Sequence, residues 1–456
     1  MTSSNARLIE KYNIPGPRYT SYPTVPFWDS STFSRNDWIK QVKDVFSKTN
    51  YSEGISLYVH LPYCESLCTY CGCNTRITVN HAVELPYINM VIQELEMYKR
   101  LFGRSPHIKE IHLGGGTPTF FKPENLFILL DGILSGSIIS DEAAFSFEGH
   151  PLNTTYEHLK VLHGLGFRRV SYGIQDFDKK VQNAINRIQP KEDVENVMRW
   201  SRELGYQSVN FDLVYGLPFQ TINTVKETIE NVIELRPDRI AFYSYAHVPW
   251  VKPGQRSFSE KDLPNGEEKR ALYELGRSMF EKSGYVEIGM DHFSLRDDSL
   301  CKALKSKTIH RNFMVFTTAK TLMMIGLGVS SISDTTTAFA QNEKTVERYK
   351  EEVSNGNFPV FRGHILTAED SVLRKHILNL ICQYETDWKD KKNQCEALFE
   401  ALEELDEFKK DDLISISDSQ LTINEKGYPF VRNICMAFDR RMKEKDNKYK
   451  LFSQTI

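Results

Sequence analysis

No apolar run in this chain reaches the roughly 20 residues that a helix needs to cross a bilayer, which excludes a helical membrane span. No charge sign dominates either. The sequence holds 57 Lys and Arg against 60 Asp and Glu, a formal net charge of −3, so no chain-wide field draws in nucleic acid or an anionic membrane. The N-terminus lacks the apolar stretch of a secretory signal. Cys301, Cys382, Cys395 and Cys435 stand singly rather than at disulfide-framework spacings. There is no low-complexity tract and no apolar stripe that asks for a partner. These absences leave the expectation of a cytoplasmic, monomeric protein whose 456 residues can bury one large core and a smaller one.

The other cysteines are crowded together. Cys64, Cys68, Cys71 and Cys73 follow directly on the apolar run 55-ISLYVH-60, and the first three form C-x3-C-x2-C. Iron–sulfur clusters are normally held by four thiolates, so a loop offering three implies an iron left open for chemistry. Zinc is the rival reading. His60 or His81 could complete a tetrahedron, although no second cysteine pair follows.

One strand–helix unit later, 108-IKEIHL-113 alternates as a strand and ends in Gly114-Gly115-Gly116-Thr117-Pro118-Thr119. Glycines at a strand end let the backbone approach a ligand and offer it bare N–H and C=O groups. A C-x3-C-x2-C loop followed by this turn resembles the radical S-adenosylmethionine (SAM) superfamily. The resemblance implies a [4Fe-4S] cluster whose open iron is chelated by SAM, with the glycine turn at SAM's methionine end.

Beyond the turn, short β runs alternate with helical stretches. A helix is predicted over 122–134, a strand over Ala143–Glu148, and a helix from Asn153 or Thr154 with Thr154 and Glu157 as its capping box. A strand over Arg168–Gln175, helices across 177–204, a strand over 207–216, a helix over Thr221–Leu235 and a strand over 239–245 complete the series. Counted from the cysteine-loop strand, these units predict an α/β fold, a partial (β/α)6 barrel around a parallel sheet. In such barrels chemistry sits at the C-terminal strand ends. Those ends carry the cysteine loop, Gly114–Thr117, Glu148, Gln175, Asp212 and Tyr245-Ala246-His247.

After about residue 365 the composition turns to charged helices, with an amphipathic stretch over 368–384, a hairpin over 413–424 and a helix over 428–442. The chain is therefore expected to have an N-terminal arm (1–50), the barrel with its extensions (51–365) and a small, mostly helical, winged-helix-like C-terminal domain (366–456). Arg440, Arg441, Lys443 and Lys445 read as a solvated face rather than a nucleic-acid contact.

Over nearly its whole length the chain is similar to the oxygen-independent coproporphyrinogen III oxidases (coproporphyrinogen dehydrogenases) of the radical SAM superfamily. The likeness is carried by 15-PGPRYTSYPT-24, the cysteine loop with Cys73, GGGTPT, 173-GIQDF-177, 186-NR-187, 212-DLVYGLP-218 and 243-YSYAHVP-249. It continues through 289-GMDHF-293, 310-HRNF-313, 326-GLGVSSIS-333 and 432-RNICMAFD-439. The resemblance implies that Cys64, Cys68 and Cys71 ligate the cluster, and that Cys73 lies close by and matters for activity. It also implies two bound SAM molecules. Tyr58, Gly115, Glu148, Ala246 and Ile332 would hold the first; Tyr70, Gly116, Thr117, Gln175, Arg187 and Asp212 would hold the second.

The implied reaction removes a hydrogen from the β-carbon of a propionate with a 5′-deoxyadenosyl radical, after which CO2 and one electron leave a vinyl group behind. Repeated once, it would turn coproporphyrinogen III into protoporphyrinogen IX in haem biosynthesis, with an electron donor for the cluster and a final electron acceptor as partners. Four carboxylates on a wide apolar ring ask for aromatics and guanidinium forks. Arg18, Tyr19, Tyr22 and Arg311 are the candidates, with Arg432 facing the substrate from the C-terminal domain. Where the family usually reads Gly-Tyr-Thr-Thr after His-Arg-Asn-Phe, this chain has Val315-Phe316-Thr317-Thr318, with less backbone freedom and one hydroxyl fewer. Two relatives are the rivals. A haem-binding chaperone is disfavoured by Cys73 and residues 15–24; the other is a haem ring-opening methyltransferase.

Overall fold

The computed structural model describes residues 3–314, 316–444 and 452–455. Six strands run parallel in chain order: β1 (Ile55–Leu61), β2 (His107–Gly115), β3 (Ile138–Gly149), β4 (Phe167–Gln175), β5 (Ser208–Tyr215) and β6 (Arg239–Ser244). This is the expected partial barrel. Helices Glu84–Phe102, Pro123–Leu134 and Tyr156–Gly164 follow β1, β2 and β3 and lie side by side along the outside.

The strand register decides which side chains face inward. Tyr58 pairs with His112 and His112 with Ser146; Glu148 pairs with Ser171 and Ser171 with Asn210. Cross-strand partners project to one face of a sheet, so these rows make a polar inner belt. The intervening residues Leu57, Ile111, Phe147, Val170, Phe211 and Ile240 are buried in the main core, on the helix side. Beyond β1 the sheet continues through Met324–Leu327, Ile332–Asp334, Ala338–Asn342 and Val360–Ile365; beyond β6 it continues through His292–Leu295 and Tyr285–Gly289.

Three local expectations are corrected. The helix expected from Asn153 or Thr154 starts at Tyr156, and its cap is Thr155. The capping-box partner is His158 rather than Glu157, its Nδ1 accepting the Thr155 N–H. Thr154 bonds to His150 O and Thr119 instead. The single helix expected over 428–442 is broken into a 3-10 turn Glu425–Phe430 and helices Val431–Ala437 and Arg440–Lys443. Pro429 has no N–H to carry an α ladder through that turn. The hairpin strands Ile414–Ile416 and Gln420–Ile423 form as expected, with Glu385–Asp387 as a third strand.

A second core joins the two ends of the chain. Leu8, Tyr12, Tyr19 and Tyr22 pack with Leu373, Ile377, Ile434 and Phe438. This placement removes Tyr19 and Tyr22 from the substrate candidates: both are buried there, and Tyr19 donates to Asp439 at 3.0 Å. Arg432 does not face a substrate site either. Its guanidinium is taken up by the carbonyls of Gly16, Pro17, Gln454 and Thr455. The predicted solvated face is part-exposed and carries ion pairs, Arg440 to Glu369 (3.0 Å), Arg441 to Asp370 (2.8 Å) and Lys443 to Glu404 (2.7 Å). Lys445 lies outside the described residues.

Candidate active site

At the C-terminal ends of β1–β6 the inner belt opens into a cavity of ≈ 570 Å³. Its wall includes Cys64, Cys68, Cys71 and Cys73, together with Tyr70, Gly115, Gly116, Thr117, Glu148, Gln175, Arg187 and Asp212. Sequence positions from 64 to 212 thus converge on one space. Tyr58, Ala246 and Ile332 are not among the lining residues. Tyr58 stands on the inner face of β1, its hydroxyl 3.1 Å from His60 Nδ1 and its ring stacked with that of the cavity-lining His112. Ala246 O accepts from Gln255, which also donates to Tyr70 O. Ile332 packs against the Trp28–Phe339 cluster.

The cysteine loop is tied to the segment after the helix Lys179–Ala184: Thr69 donates to Ile185 O and Ala184 O, and Asn186 donates to Leu67 O. The glycine turn is shaped by close approach. Gly115 has φ +114°, and a Cβ there would sit 2.7 Å from the His60 ring. A Cβ on Gly116 would lie 2.6 Å from the Pro62 carbonyl. Neither position has room for a side chain.

The charged groups are oriented by polar neighbours on their own and adjacent strands. Glu148 accepts from Gly115 N (3.3 Å) and lies 3.3 Å from His112 Nε2, whose Nδ1 is 2.9 Å from Ser146 Oγ. Glu148 keeps 43% of its side-chain surface open, toward the cavity. Burial by itself would raise its carboxyl, but the His112 hydrogen bond and charge, with the Gly115 N–H, hold it below the ordinary range. Asp212 accepts from Ser171 (2.8 Å) and Asn210 (2.9 Å), yet burial, added to by the Glu148 charge, pushes it up to about 6. Arg187 donates to Gly173 O at 2.6 Å and lies 3.6 Å from Cys68 Sγ, while its buried Nε has no partner among the described residues.

All eight cysteines are free thiols, and Cys301, Cys382 and Cys435 are buried away from the loop. Burial pushes the Cys64 thiol up to about 11, opposed by the Thr117 hydroxyl 3.3 Å away. Among the described residues, no group of three or more His, Cys, Asp or Glu side chains is gathered around a common metal position. Three soft thiols on one loop, facing one cavity beside a cationic Arg187, are the donor set that an iron–sulfur cluster takes. The residues fit the group.

Two expectations about this end of the barrel change. Tyr245 and His247 do not line the cavity; they bond each other (3.0 Å) and pack with Phe258. β6 lines the cavity through Arg239, Ile240, Ala241 and Tyr243, the last 3.2 Å from His292 Nε2. Of the substrate candidates, Arg18 donates to Ser244 O and lies over the Tyr243 ring. Arg311 stacks on the cavity-lining Phe316, with its buried Nε and Nη1 lacking acceptors among the described residues. Val315 lies outside the described residues. His112, Ser146, Ser171, Asn210 and Tyr243 were missed as site residues. Stepping back by two from each polar strand end finds most of them, because alternate residues share a face.

Comparison with known proteins agrees with this geometry. Residues 58–232 match the family model described as the radical SAM superfamily. The oxygen-independent coproporphyrinogen III oxidase of Pseudomonas aeruginosa is 36% identical over 444 residues, covering 96% of this chain and 95% of the relative. The enzyme of that name from Escherichia coli is 36% identical over 456 residues, covering 98% of both. The solved structure of coproporphyrinogen III oxidase (HemN) from Escherichia coli, a radical SAM enzyme, superposes with a TM-score of 0.88 at 33% identity, over 95% of this chain and 98% of that one. On these grounds the chain belongs to the oxygen-independent coproporphyrinogen III oxidases of the radical SAM superfamily, enzymes that use a [4Fe-4S] cluster and SAM.

Proposed function

We propose that this chain catalyses the oxygen-independent oxidative decarboxylation of two propionates of coproporphyrinogen III to vinyl groups, giving protoporphyrinogen IX. The observation that carries the reading is a single cavity into which three thiols, a bare glycine turn and an inner belt of oriented polar groups all open. When bound, the cluster and SAM together supply a 5′-deoxyadenosyl radical that takes a hydrogen from a propionate β-carbon.

The chain's own residues bind, orient and exclude. Cys64, Cys68 and Cys71 hold the cluster, with Cys73 beside them. Gly115 lets the SAM methionine end reach the backbone, and Glu148, kept ionised by His112, accepts from a SAM amino or ribose hydroxyl group. Tyr70, Gly116, Thr117, Gln175, Arg187 and Asp212 form the seat for a second SAM, in which the Nε of Arg187, unpartnered among the described residues, takes a carboxylate. Tyr58, Ala246 and Ile332 complete the seat of the first SAM. Arg311, with free N–H groups beside Phe316, anchors a substrate propionate. The strand-end wall keeps water from the radical.

The test is anaerobic incubation with coproporphyrinogen III, dithionite and SAM. Vinyl product with CO2 release supports the reading. Bound haem without turnover would place the chain among carriers, and a methylated linear tetrapyrrole would make it a ring-opening methyltransferase.

A further inference from the structure

A second opening reaches the cysteine loop from outside the barrel. This groove of ≈ 500 Å³ is walled by Cys68, Cys71 and Cys73 on one side and by Arg76, Lys252, Lys344 and Glu347 on the other. The same three cysteines line the inner cavity, so the loop is a thin partition between the SAM side and the surface. The groove's charge is lopsided. Arg76 is paired with Glu347 at 3.1 Å, which leaves Lys252 and Lys344 without a carboxylate in the wall. Both lysines are positioned by the loop itself: Lys252 Nζ donates to Cys73 O at 3.3 Å, and Lys344 O accepts from Asn74. The segments forming the rim also expose apolar side chains, Leu67, Ile77, Trp250 and Val251, the last two 58% and 62% exposed. An apolar rim around a cationic groove is the make-up of a transient docking surface.

We propose that this groove docks an acidic, low-potential one-electron carrier protein, which passes its electron through the loop to the cluster. One electron leaves the carrier, oxidising it by one unit, and one enters the cluster; no bond forms or breaks and no proton moves. The inference rests on the proposed function, since it assigns the cluster to Cys64, Cys68 and Cys71. The occupant follows from charge complementarity: the uncompensated lysines steer an acidic partner, an effect that salt screens.

The test uses the cluster-loaded enzyme with an acidic flavodoxin as probe and dithionite as a small donor that needs no docking site. Bleaching of the cluster's visible absorption gives the reduction rate, and titration with oxidised flavodoxin gives binding. Lys344→Glu should slow reduction by flavodoxin about three- to tenfold at low ionic strength and weaken its binding, while Glu347→Lys should do the opposite. Added salt should erase both differences, and dithionite should reduce all three proteins at one rate. Equal flavodoxin rates and affinities across the variants, or a loss shared by dithionite, would overturn the proposal. A wild-type protein with no dithionite-reducible cluster would instead count against the proposed function, and the binding titration would still decide for or against the groove.

Discussion

Arg311 stands directly opposite Phe316 across a two-residue antiparallel ribbon, its guanidinium 4.7 Å from the centre of that ring. Directly opposed residues share a face, so Arg311 sits on the side of Phe316, which lines the cavity, although Arg311 itself is not among the lining residues. Burial draws its guanidinium below the ordinary range, and neither Nε nor Nη1 has an acceptor among the described residues. A buried, unpaired charge is costly unless a ligand completes it.

Arg311→Gln should therefore weaken coproporphyrinogen binding by about 10- to 100-fold, the worth of one charge-assisted hydrogen bond. The substrate-free variant should melt at or above the wild-type temperature, because an unpaired buried charge has gone. Arg311→Lys should recover little, since a point charge cannot reproduce the fork. Fluorescence titration with coproporphyrin and a thermal melt read the two effects. Unchanged affinity would remove Arg311 from the substrate site.

The glycine turn predicts a steric penalty. Gly116→Ala would press a methyl into the Pro62 carbonyl, and Gly115→Ala would add φ strain to a clash with His60. Each should cost roughly 1–3 kcal/mol of stability and weaken SAM binding more than a change on the helix side of the sheet. Denaturant melts and calorimetric SAM titration check both. A stable variant with normal SAM affinity would show that the turn does not meet the ligand.

The pH behaviour of Asp212 follows from its position. Its carboxyl is raised from 3.8 to about 6, so the folded protein holds that proton more tightly than the unfolded chain. The stabilisation from this proton is complete below about pH 4 and is lost as pH rises toward 6. Asp212→Asn should therefore stabilise the ligand-free protein at pH 7 by on the order of 1–3 kcal/mol, with the gain shrinking between pH 6 and pH 4. Melting temperatures at several pH values test this, and a gain independent of pH would contradict it.

Glu148 makes the opposite case. His112 helps hold its carboxyl below the ordinary range against the effect of burial. In His112→Phe, burial acts without that compensation, so the acidic limb of SAM binding should move to higher pH. The pH dependence of SAM affinity is the readout, and an unmoved limb would mean that His112 does not set the charge of Glu148.

Much of this site is legible in local patterns. The six parallel strands show as alternation followed by helical stretches; Gly114-Gly115-Gly116, Glu148 and Gln175 fall at strand ends, while Asp212 sits inside β5 on the same face as Asn210, as a period of two requires. What stayed hidden depends on contacts distant in sequence. Tyr19 reaches Asp439, and Arg432 reaches Gly16 and Pro17, across more than 400 positions. No local pattern marks those partners, so residues chosen for aromatic or guanidinium character were read as substrate contacts when they join the chain's ends. The shift of the cap from Thr154 to Thr155 is a smaller error of the same origin, since the Thr154 hydroxyl is taken up by Thr119; the break near Pro429, by contrast, has a local cause that the sequence displays.

The whole site turns on Cys64, Cys68 and Cys71 holding an iron–sulfur cluster with an iron open to SAM. The decisive measurement is iron, sulfide and 5′-deoxyadenosine content after anaerobic reconstitution and dithionite reduction with SAM, in wild type and in Cys64→Ala. Wild type should show near-equal iron and sulfide and release the nucleoside, and Cys64→Ala should lose both. A protein that binds zinc in their place, or a variant that still cleaves SAM, would contradict it.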